Sequence, residues 1–159
     1  VTASFITKKV LYEYFRNPDF IDANKLALAI RGANNELFEY STVQNHDMGG
    51  MILAAAITDG KVVIANVGFG NAYIIRNSKV FQITEDPNVL DEKVKNGELS
   101  KEEAYGNGDS EHSTSVIGRE KDIIIDIYDG IEVKENDVLI LCIHSLNTYI
   151  SKQELLQAA

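Results

Sequence analysis

A few histidine and carboxylate side chains of this sequence carry groups that bind transition metals in proteins. They are His46, Asp47 and His112, which combine imidazole nitrogen with carboxylate oxygen. The first two lie in one polar segment, and the third lies in another segment far along the chain. Because of this separation in sequence, scattered surface residues are the expectation, and a metal cluster is the alternative.

His144 and Ser145 form a second pair of interest, because a base beside a hydroxyl is part of a nucleophilic dyad. Adjacent residues of an extended segment point in opposite directions, so this pair does not build one. His144 follows an apolar run, and it could be a metal ligand, a general base or an ordinary polar residue. Cys142, inside that run, is predicted to be a buried and unreactive thiol.

Two helices at the start of the chain are the first of the elements that must position these side chains. Apolar residues at helical spacing predict them over residues 2–16 and 22–41. Asp22 precedes the second apolar pattern and is its expected N-cap. Residues 42–49 are polar and are predicted to form a loop.

Short strands follow the two helices. Four strand patterns lie at residues 51–58, 61–67, 71–76 and 80–84. Asp59-Gly60 separates the first two patterns and is a strong signal for a two-residue hairpin. Residues 51–84 are therefore expected to form one antiparallel meander.

The second half of the chain repeats this mixture of helices and strands. Residues 87–105 are charged and predict two short helices separated by Asn96-Gly97, and residues 106–115 predict a flexible loop. The remaining predicted elements are strands at residues 123–128 and 138–143, turns at Asp129-Gly130 and residues 135–137, and a helix at 152–159 capped by Ser151. The order of elements predicts one α+β domain over residues 1–159 with antiparallel strand pairing.

Composition narrows the classes of function. The chain has 159 residues, with 24 acidic and 15 basic side chains and a net charge of −9. This balance argues against nucleic acids and anionic membranes as partners, since both attract basic surfaces. Hydrophobic residues make up 45% of the chain, enough for a real core. The single cysteine excludes an intramolecular disulfide, and a cytoplasmic setting is the expectation.

Six strings, in this order and at this spacing, are similar to motifs of the metal-dependent, type-2C serine/threonine protein phosphatases. They are residues 48–55 (MGGMILAA), 64–74 (IANVGFGNAYI), 83–88 (ITEDPN), 97–104 (GELSKEEA), 113–118 (STSVIG) and 136–146 (NDVLILCIHSL). The resemblance implies an antiparallel β-sandwich flanked by helices. It also implies that the family's N-terminal and C-terminal strands are missing from this chain.

The family holds two hard cations, Mg²⁺ or Mn²⁺, between carboxylates, and a bridging water attacks the phosphoryl group. The resemblance places one metal-binding aspartate before the first residue of this chain and another after the last. An aspartate of the family corresponds to Phe69, a metal-binding aspartate to His144, and an arginine to Ser115. The former site is therefore expected at Phe69, Gly70, Asp86, Ser115, His144 and Ser145.

These departures predict a pseudophosphatase domain that lacks catalytic residues and a metal cofactor and acts as a regulatory or protein-interaction module. The alternative is a fragment of an active Mn- or Mg-dependent phosphatase whose missing ligands lie outside this chain, with His144 or Asp86 filling in. Exposed sheet edges are expected to bind a protein partner or a second copy. The acidic stretch 85–103 could also dock a basic partner, although a solvated surface is the usual meaning of such charge. A second candidate is the loop containing Asn107, Asp109, Glu111 and His112.

Overall fold

The computed structural model describes residues 2–16, 22–84, 93–94, 96–100, 115–143 and 151–158. Its helices and strands are α1 (Thr2–Phe15), α2 (Ala23–Gln44), β1 (Ile52–Thr58), β2 (Lys61–Val67), β3 (Gly70–Arg76), β4 (Lys79–Gln82), β5 (Asp126–Glu132), β6 (Val138–Ile143) and α3 (Lys152–Ala158). The chain divides into two compact units, Val1–Gly68 with Ser115–Lys134 and Phe69–Thr114 with Glu135–Ala159. No helix within these described ranges is long and apolar enough to cross a membrane.

The two helices of the first unit follow the apolar spacing of the sequence. Asp22 has an extended backbone, and its carboxylate accepts a hydrogen bond from the Lys25 N–H at 2.7 Å, so the predicted N-cap is confirmed. The predicted end of α2 at residue 41 is wrong. The Thr42 hydroxyl donates to the Phe38 carbonyl at 2.8 Å, and the helix continues until Asn45 adopts a left-handed conformation with φ of 50°.

The sheet of the first unit is antiparallel, with the strand order β1-β2-β5. Asp59 and Gly60 both have positive φ, as a two-residue type I′ hairpin requires, so the predicted turn is confirmed. The core of the unit lies between one face of this sheet and the apolar faces of both helices. Its buried members are Ile6, Leu26, Ile30, Leu37, Ile52, Val63, Ala65, Val67, Ile117 and Ile123.

The fifth strand differs from its prediction. It covers Asp126–Glu132 instead of residues 123–128, and Asp129-Gly130 lies inside it instead of ending it. Val62 pairs with Ile131 and Ile64 with Tyr128, so two residues of β5 stand opposite Val63. Gly130 has φ of +73°, which lets the strand accommodate the bulge and stay paired.

The second unit contains a separate antiparallel sheet with the order β4-β3-β6. The predicted single meander over residues 51–84 is therefore wrong, because the two hairpins belong to different sheets. Gly68, with φ of +100°, lies where the chain leaves the first sheet. Thr84 was predicted to lie within the fourth strand, but β4 ends at Gln82. The Thr84 hydroxyl instead accepts the Ala72 N–H at 3.0 Å.

The last helix, α3, begins with a capping box. The Ser151 hydroxyl accepts the Glu154 N–H at 3.3 Å, and the Glu154 carboxylate accepts the Ser151 N–H at 2.8 Å. The Ser151 hydroxyl also donates to this carboxylate at 2.8 Å, and the hydrogen bonds from the Ser151 N–H and hydroxyl lower the pKa of Glu154 below its usual value. Leu155 of the same helix is buried in one cluster with Tyr73 and Cys142. The predicted cap at Ser151 is confirmed.

Candidate functional site

The junction between β2 and β3 carries the first two positions of the predicted former site. Asn66 donates a side-chain hydrogen bond to the Gly68 carbonyl at 2.8 Å and so holds the turn that precedes Phe69. Phe69 is half-buried, and Gly70 is buried and pairs with Ile143 as the first residue of β3. Where the resemblance implies a carboxylate, this junction carries a hydrocarbon ring that offers no oxygen to a cation.

Ser115 is the third predicted position that the structure describes. Its side-chain oxygen accepts a hydrogen bond from the Ile124 N–H at 3.0 Å. The hydroxyl therefore holds the backbone of Ile124 close to Ser115. An arginine at this position would instead present a positive charge to a phosphate. Ser115 belongs to the first unit, and Phe69 and Gly70 belong to the second.

Asn34 is the polar residue at the centre of the first unit that sequence reasoning missed. Its side chain lies on the buried face of α2, and its exposed fraction is 1%. The amide oxygen accepts the Gly118 N–H at 2.7 Å, and the amide nitrogen donates to the carbonyls of Glu120 and Lys121 at 2.9 and 3.0 Å. One side chain thus fixes the loop that follows Ile117. The sequence signal that could have indicated this role is a polar residue at one of the positions where the helical spacing of α2 calls for an apolar side chain.

A polar hollow of about 310 Å³ lies at the C-terminal end of α2 and contains His46 and Asp47. Both oxygens of Asp47 accept hydrogen bonds from the Arg119 guanidinium, at 3.1 and 3.2 Å. Asp47 is therefore committed to an ion pair, and His46 is exposed beside it. The third predicted member of this cluster, His112, lies outside the described residues.

The remaining predicted positions also lie outside the described residues. They are Asp86, His144 and Ser145 of the former site, and Asn107, Asp109, Glu111 and His112 of the predicted partner-binding loop. Of the acidic stretch 85–103, residues 93–94 are helical and Gly97 has φ of +73°, in a turn where its N–H donates to the Val94 carbonyl at 3.1 Å. This turn agrees with the predicted break at Asn96-Gly97.

The described side chains do not fit a centre of two divalent cations. Within the ranges that the structure describes, no group of three or more histidine, cysteine, aspartate or glutamate residues lies close enough to hold a metal ion. Two of the carboxylates are already paired with arginines: Asp47 with Arg119, and Asp137 with Arg76.

Cys142 confirms its prediction as a buried thiol. Its exposed fraction is 8%, and its sulfur lies 3.5 Å from the Asn71 carbonyl oxygen. Burial raises the pKa of the Cys142 thiol above its usual value, so the reactive thiolate is scarce near neutral pH.

We expect Cys142 to react slowly with a thiol reagent in the folded protein. Because access and thiolate formation are both reduced, the rate of reaction with dithiobis(nitrobenzoate) at neutral pH should be at least about 100-fold below that of a solvent-exposed thiol. The control is the same chain in urea, where the full rate should return. A native rate equal to the rate in urea would contradict the burial.

The chain resembles known proteins in both sequence and fold. No protein-family model matches the chain. The serine/threonine phosphatase stp of Listeria innocua is 30% identical over 132 residues, which cover 82% of this chain and 52% of that protein. The crystal structure of the serine/threonine phosphatase Stp1 from Staphylococcus aureus is 27% identical, with a TM-score of 0.73, over 97% of this chain and 63% of that one.

A more distant structure agrees in fold. The catalytic domain of the serine/threonine protein phosphatase PstP, solved with two manganese ions, is 20% identical and has a TM-score of 0.72 over 99% of this chain and 66% of its own. The relatives and structural neighbours are thus serine/threonine phosphatases of the metal-dependent family. The predicted α+β fold with antiparallel sheets and helices is confirmed as the fold of these enzymes. The chain spans about half the length of the curated relatives it matches.

Proposed function

We propose that this chain is a single phosphatase-like domain that does not hydrolyse phosphate esters and acts as a regulatory or protein-interaction module in the cytoplasm. The observation that carries the proposal is Phe69, an aromatic residue at a position where the resemblance implies an aspartate. Without carboxylates nothing offsets the dehydration of Mg²⁺ or Mn²⁺, and without the cation no hydroxide forms near neutral pH.

Two further observations support the loss of catalysis. The Ser115 hydroxyl accepts a backbone N–H, whereas the arginine implied at this position could grip a phosphate with two hydrogen bonds. His144 stands where the resemblance implies another aspartate. The proposed former site comprises Phe69, Gly70, Asp86, Ser115, His144 and Ser145.

The proposed interaction role calls for a surface that another protein can use. Unpaired sheet edges expose backbone donors and acceptors that a partner strand or a second copy can satisfy. The loop containing Asn107, Asp109, Glu111 and His112 and the acidic stretch 85–103 are further docking candidates from the sequence.

A second candidate is a fragment of an active, Mn- or Mg-dependent serine/threonine protein phosphatase. The observation that favours it is length, because the chain covers 52% of the Listeria phosphatase, and the other half can carry metal ligands. Phe69 weighs against this candidate, because adding further chain does not change that residue.

An assay of phosphate-ester hydrolysis tests the proposal. With p-nitrophenyl phosphate and a phosphothreonine peptide, at about 1 mM Mn²⁺, we expect no rate above that of the buffer. The Listeria phosphatase is the positive control. Hydrolysis that EDTA abolishes would overturn the proposal. If Phe69→Leu left that rate unchanged, the result would favour an active metal site elsewhere in the chain.

A further inference from the structure

The polar hollow at the C-terminal end of α2 contains no residue of the proposed former site. Its walls are six residues between Phe38 and Asp47, together with Gly118 and Arg119, and all of them belong to the first unit. Its volume of about 310 Å³ is at the lower end of the range of about 300–1,000 Å³ that binding pockets usually have. A hollow of this size suits one side chain of a partner better than a whole small molecule.

The wall that carries Arg119 is held in place by the rest of the unit. The side chain of Asn34 makes three hydrogen bonds to the backbone of residues 118–121. On the other side, Gly50 and Ile117 exchange two backbone hydrogen bonds, at 3.2 and 2.9 Å. Because Arg119 follows directly after these anchors, its backbone needs little further ordering when a ligand binds.

The two hydroxyl groups of the hollow offer lone pairs to an occupant. Ser41 donates its hydroxyl proton to the His46 carbonyl, and Thr42 donates its own to the Phe38 carbonyl at 2.8 Å. A hydroxyl has one proton to donate and two lone pairs that accept. Both hydroxyls can therefore only accept hydrogen bonds from a ligand.

The negative charge of the hollow is not used up by its ion pair. A carboxylate has about four lone-pair sites, and Arg119 uses one on each oxygen of Asp47, at 3.1 and 3.2 Å. The Asp47 side chain is 71% exposed, so the other sites are accessible. The last turn of α2 contains no basic residue to offset the negative end of the helix dipole. Both features favour a positively charged occupant.

An anion and a metal ion fit the hollow less well. An anion would lie beside the Asp47 carboxylate and two hydroxyls without a proton to donate, and the Arg119 guanidinium is already paired. A metal ion needs several ligands, and no group of three histidine, cysteine, aspartate or glutamate residues gathers in the part of the chain that the structure describes. An organic cation needs only hydrogen-bond acceptors, which the hollow has.

We propose that this hollow binds an arginine side chain from a basic segment of another protein. The proposal rests on the interaction role proposed above and names the chemistry of the partner. The guanidinium of the partner donates to the open lone pairs of Asp47 and to the hydroxyl oxygens of Ser41 and Thr42. The net charge of −9 attracts a basic segment over longer distances.

A titration followed through the backbone amide signals of the protein tests this proposal. The probes are the end-blocked peptide Gly-Ser-Arg-Ser-Gly and the same peptide with citrulline, which keeps the shape of arginine without its charge. The arginine peptide should bind with a dissociation constant below about 5 mM and shift the signals of Ser41, His46 and Arg119. The citrulline peptide should bind at least about tenfold more weakly.

Two variants that break the same ion pair should change the affinity in opposite directions. Asp47→Asn removes the charge that the ligand contacts and should weaken binding at least about fivefold. Arg119→Gln removes the group that competes for this carboxylate and should strengthen binding at least about twofold. Glu36→Gln is the matched control, because Glu36 pairs with Lys9 outside the hollow. It removes the same charge as Asp47→Asn and should leave the affinity unchanged.

Three results would overturn this inference: no binding below about 5 mM, equal binding of the arginine and citrulline peptides, or a change in the same direction for both ion-pair variants. The hydrolysis assay does not involve the hollow. Hydrolysis that EDTA abolishes would refute the proposed function whatever the peptides do. A chain that neither hydrolyses phosphate esters nor binds the arginine peptide would refute this inference alone.

Discussion

Replacement of Gly118 by alanine is expected to destabilise the protein by about 3 kcal/mol or more. Gly118 has φ of +86°, and a Cβ atom there would lie 2.6 Å from two side-chain carbons of Leu37 and 2.7 Å from the Met48 carbonyl oxygen. Because the carbonyl belongs to the backbone, it cannot move aside cheaply. The free energy of unfolding in urea measures this loss.

Gly60→Ala is the matched control for this prediction. Gly60 has φ of +71°, but nothing lies within 4 Å of a Cβ placed there. It should cost only the strain of positive φ, about 1 kcal/mol. The difference between the two variants therefore reports the close approach of the loop to α2. Equal losses would show that Gly118 does not make this approach.

The second large effect is expected in the other unit, at the ion pair between Arg76 and Asp137. Two guanidinium nitrogens of Arg76 donate to the two carboxylate oxygens at 2.8 and 2.6 Å, and the Asp137 side chain is only 2% exposed. Arg76→Leu removes both of these hydrogen bonds from a buried carboxylate. We expect a loss of about 3–5 kcal/mol in the free energy of unfolding.

An exposed ion pair provides the control for this variant. Lys9 and Glu36 lie 3.1 Å apart with side chains 58% and 43% exposed, so Lys9→Met should cost no more than about 1 kcal/mol. The double variant Arg76→Leu with Asp137→Leu should recover part of the loss, because it removes the buried negative charge as well. If Arg76→Leu costs no more than Lys9→Met, the burial of Asp137 is contradicted.

Local signals predicted most of the individual elements. Asp22 before an apolar helical pattern and Asp59-Gly60 between two strand patterns each specify a backbone geometry with few alternatives, and both are confirmed. The serine at 151 with glutamate three residues later is a third example. Such features depend only on residues close together in the chain, so they can be predicted from a single sequence.

Features that depend on distant partners were not predictable in the same way. The assignment of the two hairpins to different sheets depends on β5 and β6, which pair with β2 and β3 from far along the chain. Asp129-Gly130 has the composition of a turn, yet a continuous partner strand keeps it as a bulge. The sequence does not show that Asn34 is buried, because its three backbone partners belong to a loop far along the chain.

The candidate site was predicted from substitutions within family-like strings, not from geometry. Phe69 and Ser115 are described, and their side chains are a hydrocarbon ring and a hydroxyl committed to Ile124. Asp86, His144 and Ser145 remain predictions, since they lie outside the described residues. Periodicity could not have indicated the site, because metal ligands converge from several elements whose separations in sequence carry no regular pattern.

The central claim, that the carboxylates needed for two hard cations are lost, is tested most directly by calorimetric titration of Mn²⁺ into the purified chain in a phosphate-free buffer. We predict no heat of binding up to about 1 mM Mn²⁺. Binding in the micromolar range, reduced by Asp86→Asn or His144→Ala, would contradict the claim and show that an acidic site survives in this domain.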